Sequence, residues 1–294
     1  MTNTGTNQEQ VAILPVRWRL GRTFFNHAIQ RPSLAISLLI VTAVVIISLL
    51  APWLVPYEPD QQILLDRLQS PSFSHWLGTD HLGRDVLSRL MYAGRFSLSV
   101  TAISLLISAI LGTTLGAISG RVGGLLDEFI MRTVDLLLAF PSEILALLIA
   151  SMIRPGALTI VFAVVITGWT TFARLARVRS LEVNAKEYII AATALGLSEA
   201  KIIQRHILPN ILPPILALFF VRFGHLMLGI AGLSYLGLGA QPPTADWGLM
   251  LAEAQPYMQR VPMLVLAPSS MIFVTALSVT ILGQAISRQL DPVK

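Results

Sequence analysis

The uncharged stretch FSLSVTAISLLISAILGTTLGAISG, residues 96–120, decides the fold class of this chain. It lies between Arg95 and Arg121 and exceeds the ~20 apolar residues with which an α-helix crosses a bilayer. Residues spaced by four lie on one face of a helix, and small side chains there let two helix backbones approach closely in lipid. The stretch therefore predicts a membrane-spanning helix with a tight helix–helix seam. The predicted seam consists of Ser104, Ser108, Gly112, Gly116 and Gly120.

Composition and five further apolar stretches predict an all-α integral membrane protein. The chain is 54% hydrophobic and only 13% charged, with a mean hydropathy of +0.70. Soluble domains carry about 25% charged residues, so lipid is the expected solvent for so much apolar surface. With residues 96–120, these stretches give six predicted transmembrane helices. The other predicted spans are residues 34–55, 136–153, 155–173, 211–238 and 261–287.

Lysine and arginine residues predict the orientation of the spans. These residues are concentrated before the first span and between the fourth and fifth spans, which makes those segments cytoplasmic. Six spans then place both termini in the cytoplasm. Residues 11–31 mix apolar and basic residues and predict an amphipathic helix lying on the membrane surface. The predicted divisions are a tail with this helix at 1–33, a first span and external loop at 34–95, a core at 96–287 and a tail at 288–294.

A polar insertion at residues 174–210, between the fourth and fifth predicted spans, is the most informative part of the chain. Helical periodicity covers residues 187–195, and Gly196 is suited to end that helix. Ser198 is a good N-cap for a second short helix at residues 199–206. Two short helices on the membrane surface form a knob that fits a partner's groove. The break into the fifth span is predicted at Pro209, Pro213 and Pro214.

This insertion resembles the EAA loop found in the permease subunits of bacterial ABC importers. The loop motif is Glu-Ala-Ala, three residues, Gly, nine residues, a hydrophobic residue, any residue and Leu-Pro. The matching residues in this chain are Ala191, Ala192, Gly196, Leu208 and Pro209. Ile190 and His206 depart from the motif, at its acidic position and its later hydrophobic position. The resemblance implies a coupling helix that docks on an ATPase subunit through Glu187, Tyr188, Ala191, Ala192, Gly196, Leu197 and Ser198.

Two other segments resemble the C-type permeases of the dipeptide, oligopeptide and nickel importers. They are HWLGTDHLGRDVLSRL at residues 75–90 and SYLGLGAQPPTADWG at residues 234–248, and the terminal LDP at residues 290–292 also fits. Gln284 departs from this branch, which often has Asp after the glycine. In residues 75–90, charged side chains at helical spacing predict an ion-pair network, with an external vestibule element as the alternative. The network comprises Asp80, Arg84, Asp85 and Arg89.

The resemblance implies a set of partners and a location in the bacterial inner membrane. The expected partners are a second permease subunit, two ATPase subunits, an external solute-binding protein and membrane lipid, without nucleic acid. No segment resembles the phosphate-binding Gly-x-x-x-x-Gly-Lys-Ser/Thr loop, so ATP is expected to bind elsewhere and the chain is not expected to be an enzyme. The chain has no cysteine, and His75 and His81 lack metal-site spacing, so neither a metal site nor a cofactor is predicted.

Ionisable groups inside spans usually face a bundle interior or a cavity. Asp135 follows Arg132 by three residues and is expected to pair with it, near the cytoplasmic edge. Glu143 and Arg222 are predicted to pair across the third and fifth spans. The candidate residues of a translocation path are Glu143, Arg222, His225 and Met227.

Two other function classes remain open at this point. An ion-gradient-driven secondary transporter would require inverted repeats and buried acidic coupling residues, and only Glu143 is a candidate for the latter. A membrane enzyme would require a nucleophile and base, or metal ligands, near one face. The cargo also remains open between nickel, other metal chelates and short peptides.

Overall fold

The computed structural model describes residues 32–290, which form ten α-helices without a β-strand. The predicted surface helix at residues 11–31 lies outside these residues. The all-α membrane fold is confirmed. The helices are α1 Pro32–Leu54, α2 Val86–Val122, α3 Gly124–Leu138, α4 Ser142–Ser151, α5 Ala157–Asn184, α6 Glu187–Ala194, α7 Glu199–Ile202, α8 Leu208–Tyr235, α9 Trp247–Ala254 and α10 Met263–Leu290.

Five long apolar helices correspond to five of the six predicted spans, and a bent pair of shorter helices lies at the third. The long helices are α1, α2, α5, α10 and the continuous stretch Glu199–Tyr235 that contains α8. The third span, predicted at residues 136–153, is not one straight helix. Helices α3 and α4 meet there at 86°. Pro141 precedes α4 directly, and a proline disfavours helical geometry in the residue before it, so the chain turns at this point.

The small-residue face of α2 forms the predicted seam, and α5 is its partner. A Cβ atom added to Gly116 would lie 2.8 Å from the Cβ of Ala176. A Cβ added to Gly120 would lie 2.7 Å from the carbonyl oxygen of Arg177. Real Cβ atoms do not approach other atoms so closely, so only glycine permits this packing distance. The α2–α5 contact is the most extensive between any two described helices.

The proline break predicted before the fifth span does not occur. Helix α7 continues through a π-helical turn, Ile203–Ile207, into α8, so the second short helix is not separate at residues 199–206. In that turn the Leu208 N–H donates to the Ile203 carbonyl, five residues back. The wider turn gives room for the ring of Pro209, which in a regular helix would collide with the carbonyl four residues earlier. The helix also runs through Pro213 and Pro214.

At the end of the bundle opposite α6 and α7, helix α9 packs between α2, α8 and α10. The Trp247 side chain is buried and its Nε1–H donates to the Leu90 carbonyl at 2.9 Å. Asp246 caps α9 by accepting from the Leu249 N–H at 3.2 Å. Burial raises the pKa of the Asp246 carboxyl above its ordinary value, and a hydrogen bond from Ser97 Oγ at 2.6 Å opposes that shift. This cap fixes the end of the bundle that is farthest from α6 and α7.

Candidate functional site

A cavity of about 450 Å³ lies among α2, α4, α5 and α8. Its walls are mainly apolar, with Leu105 of α2 and Val164 of α5 among them. These residues fall near the middle of their spans, so the cavity lies near mid-depth of the bilayer. Its charged or titratable lining residues are Glu143, Arg222, His225 and Tyr235.

Three of the four residues predicted for the path are therefore brought together. Glu143 stands in the first turn of α4, and Arg222 and His225 lie one turn apart on α8. Met227 does not line this cavity. It is 2% exposed and packs in the core cluster that contains Val44 and Trp247. Two residues along a helix correspond to more than half a turn, which directs Met227 away from the side that His225 faces.

The predicted ion pair between Glu143 and Arg222 is absent from the described residues. Arg222 Nη2 instead donates to Thr171 Oγ1 at 3.0 Å. Both charged groups nevertheless line the same cavity, on α4 and α8. The predicted local pair of Asp135 is also wrong, because its carboxylate binds Arg174 of α5 while Arg132 lies near Glu128.

Glycines provide the space on the α8 wall. Gly229 and Gly232 line the cavity, and no atom lies within 4 Å of the position that a Cβ would take at either residue. Gly224 has a different role on the same helix, because an added Cβ would lie 2.7 Å from the Ala276 carbonyl oxygen of α10. Helix α8 therefore packs against α10 at Gly224 and leaves the cavity open at Gly229 and Gly232.

The second candidate site is the loop that carries α6 and α7. Gly196 separates the two helices with a φ of +77°, a conformation that favours glycine. Ser198 precedes α7 as predicted, although its side chain makes no capping hydrogen bond. Ile189 and Ala192 are buried, and Ile189 belongs to the core cluster below the loop. The outward side of the loop carries three exposed large side chains, here called the loop patch: Tyr188 (43% exposed), Ile190 (59%) and Leu195 (81%).

Arg121, at the end of α2, joins this loop to the bundle. Its guanidinium forms an ion pair with Glu199 of α7, in which Nη2 donates to Oε1 at 3.1 Å. The same nitrogen donates to Thr193 Oγ1 of α6 at 3.0 Å, and Nη1 donates to Asn184 Oδ1 of α5 at 3.3 Å. One side chain therefore connects both loop helices with the ends of α2 and α5. The sequence interpretation had placed Arg121 only at the end of a span.

The predicted ion-pair network at residues 75–90 is confirmed for Asp80, Arg84 and Arg89, and it is buried. Asp85 was wrongly included, because its carboxylate binds His75 at 2.9 Å and caps α2 instead of pairing with an arginine. Arg84 and Arg89 are each 1% exposed. Arg84 binds Asp80 at 2.6 Å, and both arginines bind Glu253 of α9, at 2.8 and 3.0 Å. The sequence analysis missed Glu253, although it is an isolated acid within an apolar segment. Glu253 also belongs to a cluster with Asp80 and His81 that has the geometry of a metal site. The two arginines bound to Glu253 neutralise this cluster without a metal ion.

Comparison with known protein families identifies most of the chain. Residues 112–292 match the family described as binding-protein-dependent transport system inner membrane component. Residues 21–71 match the N-terminal transmembrane domain of oligopeptide transport permease C.

Among similar proteins, the nickel transport system permease protein NikC of Escherichia coli K12 is 34% identical over 90% of this chain and 95% of its own length. The glutathione transport system permease protein GsiD of Pectobacterium atrosepticum is 38% identical, over 92% and 90% of the two chains. The dipeptide transport system permease protein DppC of Alkalihalophilus pseudofirmus is also 38% identical, over 92% and 89%.

Solved structures agree on the fold. A chain of the inward-facing MetNI methionine ABC transporter superposes with a TM-score of 0.57 at 17% identity, covering 70% of this chain and 97% of that one. An amino acid ABC transporter superposes with a TM-score of 0.51 at 18% identity, covering 69% and 94%. Together with the family matches, these similarities establish that the chain belongs to the inner-membrane components of binding-protein-dependent transport systems and is a permease subunit of an ABC importer.

Proposed function

We propose that this permease forms half of the translocation path of an ATP-driven importer and that its α6–α7 loop docks on a partner ATPase. The loop patch carries the docking proposal. Large apolar side chains exposed in a polar loop are typical of a protein interface. The buried side chains of Ile189 and Ala192 lie beneath the patch, and hydrogen bonds of Arg121 connect the loop to α2 and α5. A rigid knob of this kind can transmit the opening and closing of ATPase subunits to the spans. The resemblance gives the docking segment as Glu187, Tyr188, Ala191, Ala192, Gly196, Leu197 and Ser198. Within this segment Ala192 is buried and supports the surface from below, and the exposed Ile190 and Leu195 extend the docking surface beyond the residues of the resemblance.

Gly196 offers a matched test of this docking. No atom lies within 4 Å of the place where a Cβ would stand, so both Gly196→Ala and Gly196→Arg fit the isolated subunit. Both variants incur the same backbone penalty of about 1–2 kcal/mol for a positive φ. We expect the ATPase to copurify in mild detergent with the wild type and with Gly196→Ala, and to be lost with Gly196→Arg. Equal recovery of the ATPase with Gly196→Arg would contradict docking at the loop.

The second part of the proposal concerns the path. The cavity lies near mid-depth and holds charged groups of both signs at Glu143 and Arg222. A second, related permease would close it from the open side, and the two subunits would alternate between inward-open and outward-open states. An external solute-binding protein would deliver the cargo.

Short peptides or peptide-like solutes are the cargo that these charges favour. Such zwitterions present a carboxylate that suits Arg222 and an ammonium that suits Glu143. The names of the relatives include dipeptide, glutathione and nickel permeases. A nickel chelate is the second candidate, because His225 lines the same cavity as Glu143.

Uptake of labelled dipeptide and of nickel into vesicles, by the complete importer, separates these cargoes. We expect Arg222→Ala to reduce peptide uptake about tenfold or more, which corresponds to the loss of one charge-assisted contact of about 1.5–3 kcal/mol. Arg222→Lys should retain part of the activity. If His225→Ala abolishes nickel uptake and peptide is not transported at all, the nickel chelate becomes the cargo. If neither substitution changes any uptake, the cavity is not the path.

The remaining parts of the proposal are the orientation and the division of the chain. We propose that the tails at residues 1–33 and 288–294, with the surface helix at 11–31, lie in the cytoplasm beside the coupling loop at 174–210. The first span and external loop would then occupy residues 34–95, and the permease core 96–287. The natural chain contains no cysteine, so single cysteines introduced into each tail can be labelled without background. A membrane-impermeant maleimide should label them only after intact cells are opened, and labelling of intact cells would contradict this orientation.

A further inference from the structure

The loop between α1 and α2 contains an uncharged segment from which two aromatic side chains face outward. Residues 70–77, SPSFSHWL, include no Asp, Glu, Lys or Arg. The side chain of Phe73 is fully exposed and that of Trp76 is 71% exposed. Two aromatic rings standing in water are unfavourable, because each buries 150–250 Å² when it is covered. The exposure of Phe73 and Trp76 therefore indicates that another molecule covers these two rings.

The backbone of this segment is held firmly. The Ser72 N–H donates to the His75 carbonyl at 2.8 Å, and the buried His75 ring binds Asp85 at 2.9 Å. Asp85 in turn caps α2 by accepting from the Ser88 N–H at 2.8 Å. Phe73 and Trp76 flank this anchored histidine, so their side chains are exposed from an ordered turn rather than from a loose one.

Contacts with Tyr57 fix the position of residues 70–77 relative to the end of α1. The Tyr57 hydroxyl donates to the Ser74 carbonyl at 2.9 Å, and the rings of Tyr57 and His75 lie 4.7 Å apart. Tyr57 follows the end of α1 by three residues, and its N–H donates to Ser88 Oγ in the first turn of α2 at 3.2 Å. Residues 70–77 therefore lie beside the end of α1, where that span leaves the membrane.

An exposed apolar stripe runs along α1 and ends at Trp53, four residues before Tyr57. Leu39, Ile46 and Trp53 recur every seven residues on one face of α1 and are 70%, 48% and 79% exposed. Trp53 stands at the end of this stripe, where membrane helices commonly carry an aromatic anchor.

We propose that residues 70–77 insert Phe73 and Trp76 into the lipid headgroup boundary, beside Trp53. The choice of the outer leaflet rests on the proposed orientation. Aromatic side chains favour this boundary because the ring is apolar while its edge tolerates water. Lipid is the occupant that fits best, because the segment has no charge, lies at span-end depth and adjoins a lipid-facing stripe. The segment would act as an anchor that fixes the external loop on the bilayer.

Site-directed spin labelling tests the proposal in the assembled importer, reconstituted in vesicles of phosphatidylcholine and phosphatidylglycerol. Single cysteines are introduced as Phe73→Cys and Trp76→Cys, which is possible because the chain has no native cysteine. The readouts are collision rates of each label with lipid-soluble oxygen and with water-soluble nickel ethylenediaminediacetate. Ile46→Cys is the lipid reference, and Glu58→Cys, an exposed charged position on the same loop, is the water reference.

We expect the oxygen-to-nickel collision ratio at positions 73 and 76 to exceed that at position 58 several-fold and to lie below that at position 46. A ratio equal to that at position 58 would overturn the proposal. Low collision with both reagents would also overturn it, because that result indicates burial against protein. Protection that appears only after the solute-binding protein is added would assign the segment to that partner. A second readout is quenching of tryptophan fluorescence by brominated lipid, which should fall in Trp76→Phe.

Discussion

Substitution of Gly116 by alanine tests the α2–α5 seam quantitatively. The added Cβ would lie 2.8 Å from the Cβ of Ala176 and 2.9 Å from the carbonyl carbon of Ala173. Carbon atoms prefer separations of about 3.5–4.0 Å, so the two helices must move apart by about 0.6–1.2 Å. A gap of that size forfeits a quarter to a half of the dispersion energy of each neighbouring contact. Overpacking of this kind typically costs about 1–3 kcal/mol.

Gly229→Ala is the matched control. It makes the same change within a membrane helix, but no atom lies within 4 Å of the new Cβ. Both variants gain helix propensity, about 1 kcal/mol in favour of alanine, so this term cancels between them. Unfolding in mixed micelles titrated with sodium dodecyl sulfate, followed by tryptophan fluorescence, should show Gly116→Ala less stable than Gly229→Ala by about 1–3 kcal/mol. Equal stability of the two variants would refute the claim that backbone approach holds α2 to α5.

Three further predictions follow from the charged contacts. Arg121→Ala should lower the amount of solute transported per ATP hydrolysed, because the hydrogen bonds of Arg121 to Glu199 and α6 hold the loop helices to two spans. A transport-to-hydrolysis ratio equal to that of the wild type would contradict this role. Glu253→Ala should destabilise the permease by about 3–5 kcal/mol, because two buried arginines lose a shared partner, and thermal unfolding measures this. The pKa of the Asp246 carboxyl is higher in the folded protein than its ordinary value of 3.8, so folding favours the protonated form. The stabilisation from this protonation is complete below pH 3.8 and is lost as pH rises through the folded-state pKa. The unfolding temperature of Asp246→Asn relative to wild type should therefore increase with pH over that window, and a constant difference would contradict the assignment.

The seam and the loop could be predicted from the sequence because each depends on local spacing. The small residues of α2 recur at helical period, so their shared face does not depend on which helix packs against it. Gly196 likewise ends α6 through its own backbone conformation. Contacts that depend on the fold were not predictable. Glu253 lies far along the chain from the two arginines that it binds, and no local pattern joins them.

Helix breaks were the least predictable feature, because a proline acts differently in different surroundings. Pro141 coincides with an 86° bend between α3 and α4. Pro209 is absorbed by a π-helical turn, and the helix continues. The difference lies in whether neighbouring turns can widen and whether other helices support the chain on both sides. A hydropathy profile contains no information on either of these conditions. It therefore predicts where the membrane segments lie but not the bend between α3 and α4.

ATP-driven uptake by the reconstituted importer is the sharpest test of ATPase coupling through the α6–α7 loop. Vesicles would contain this permease with its partner permease and ATPases, and the labelled solute would be supplied with its binding protein. We expect uptake to require ATP, to persist when ionophores collapse the ion gradients, and to disappear with Gly196→Arg but not with Gly196→Ala. Uptake by the permease alone, driven by an ion gradient and unaffected by either substitution, would rule out this coupling and favour a secondary transporter.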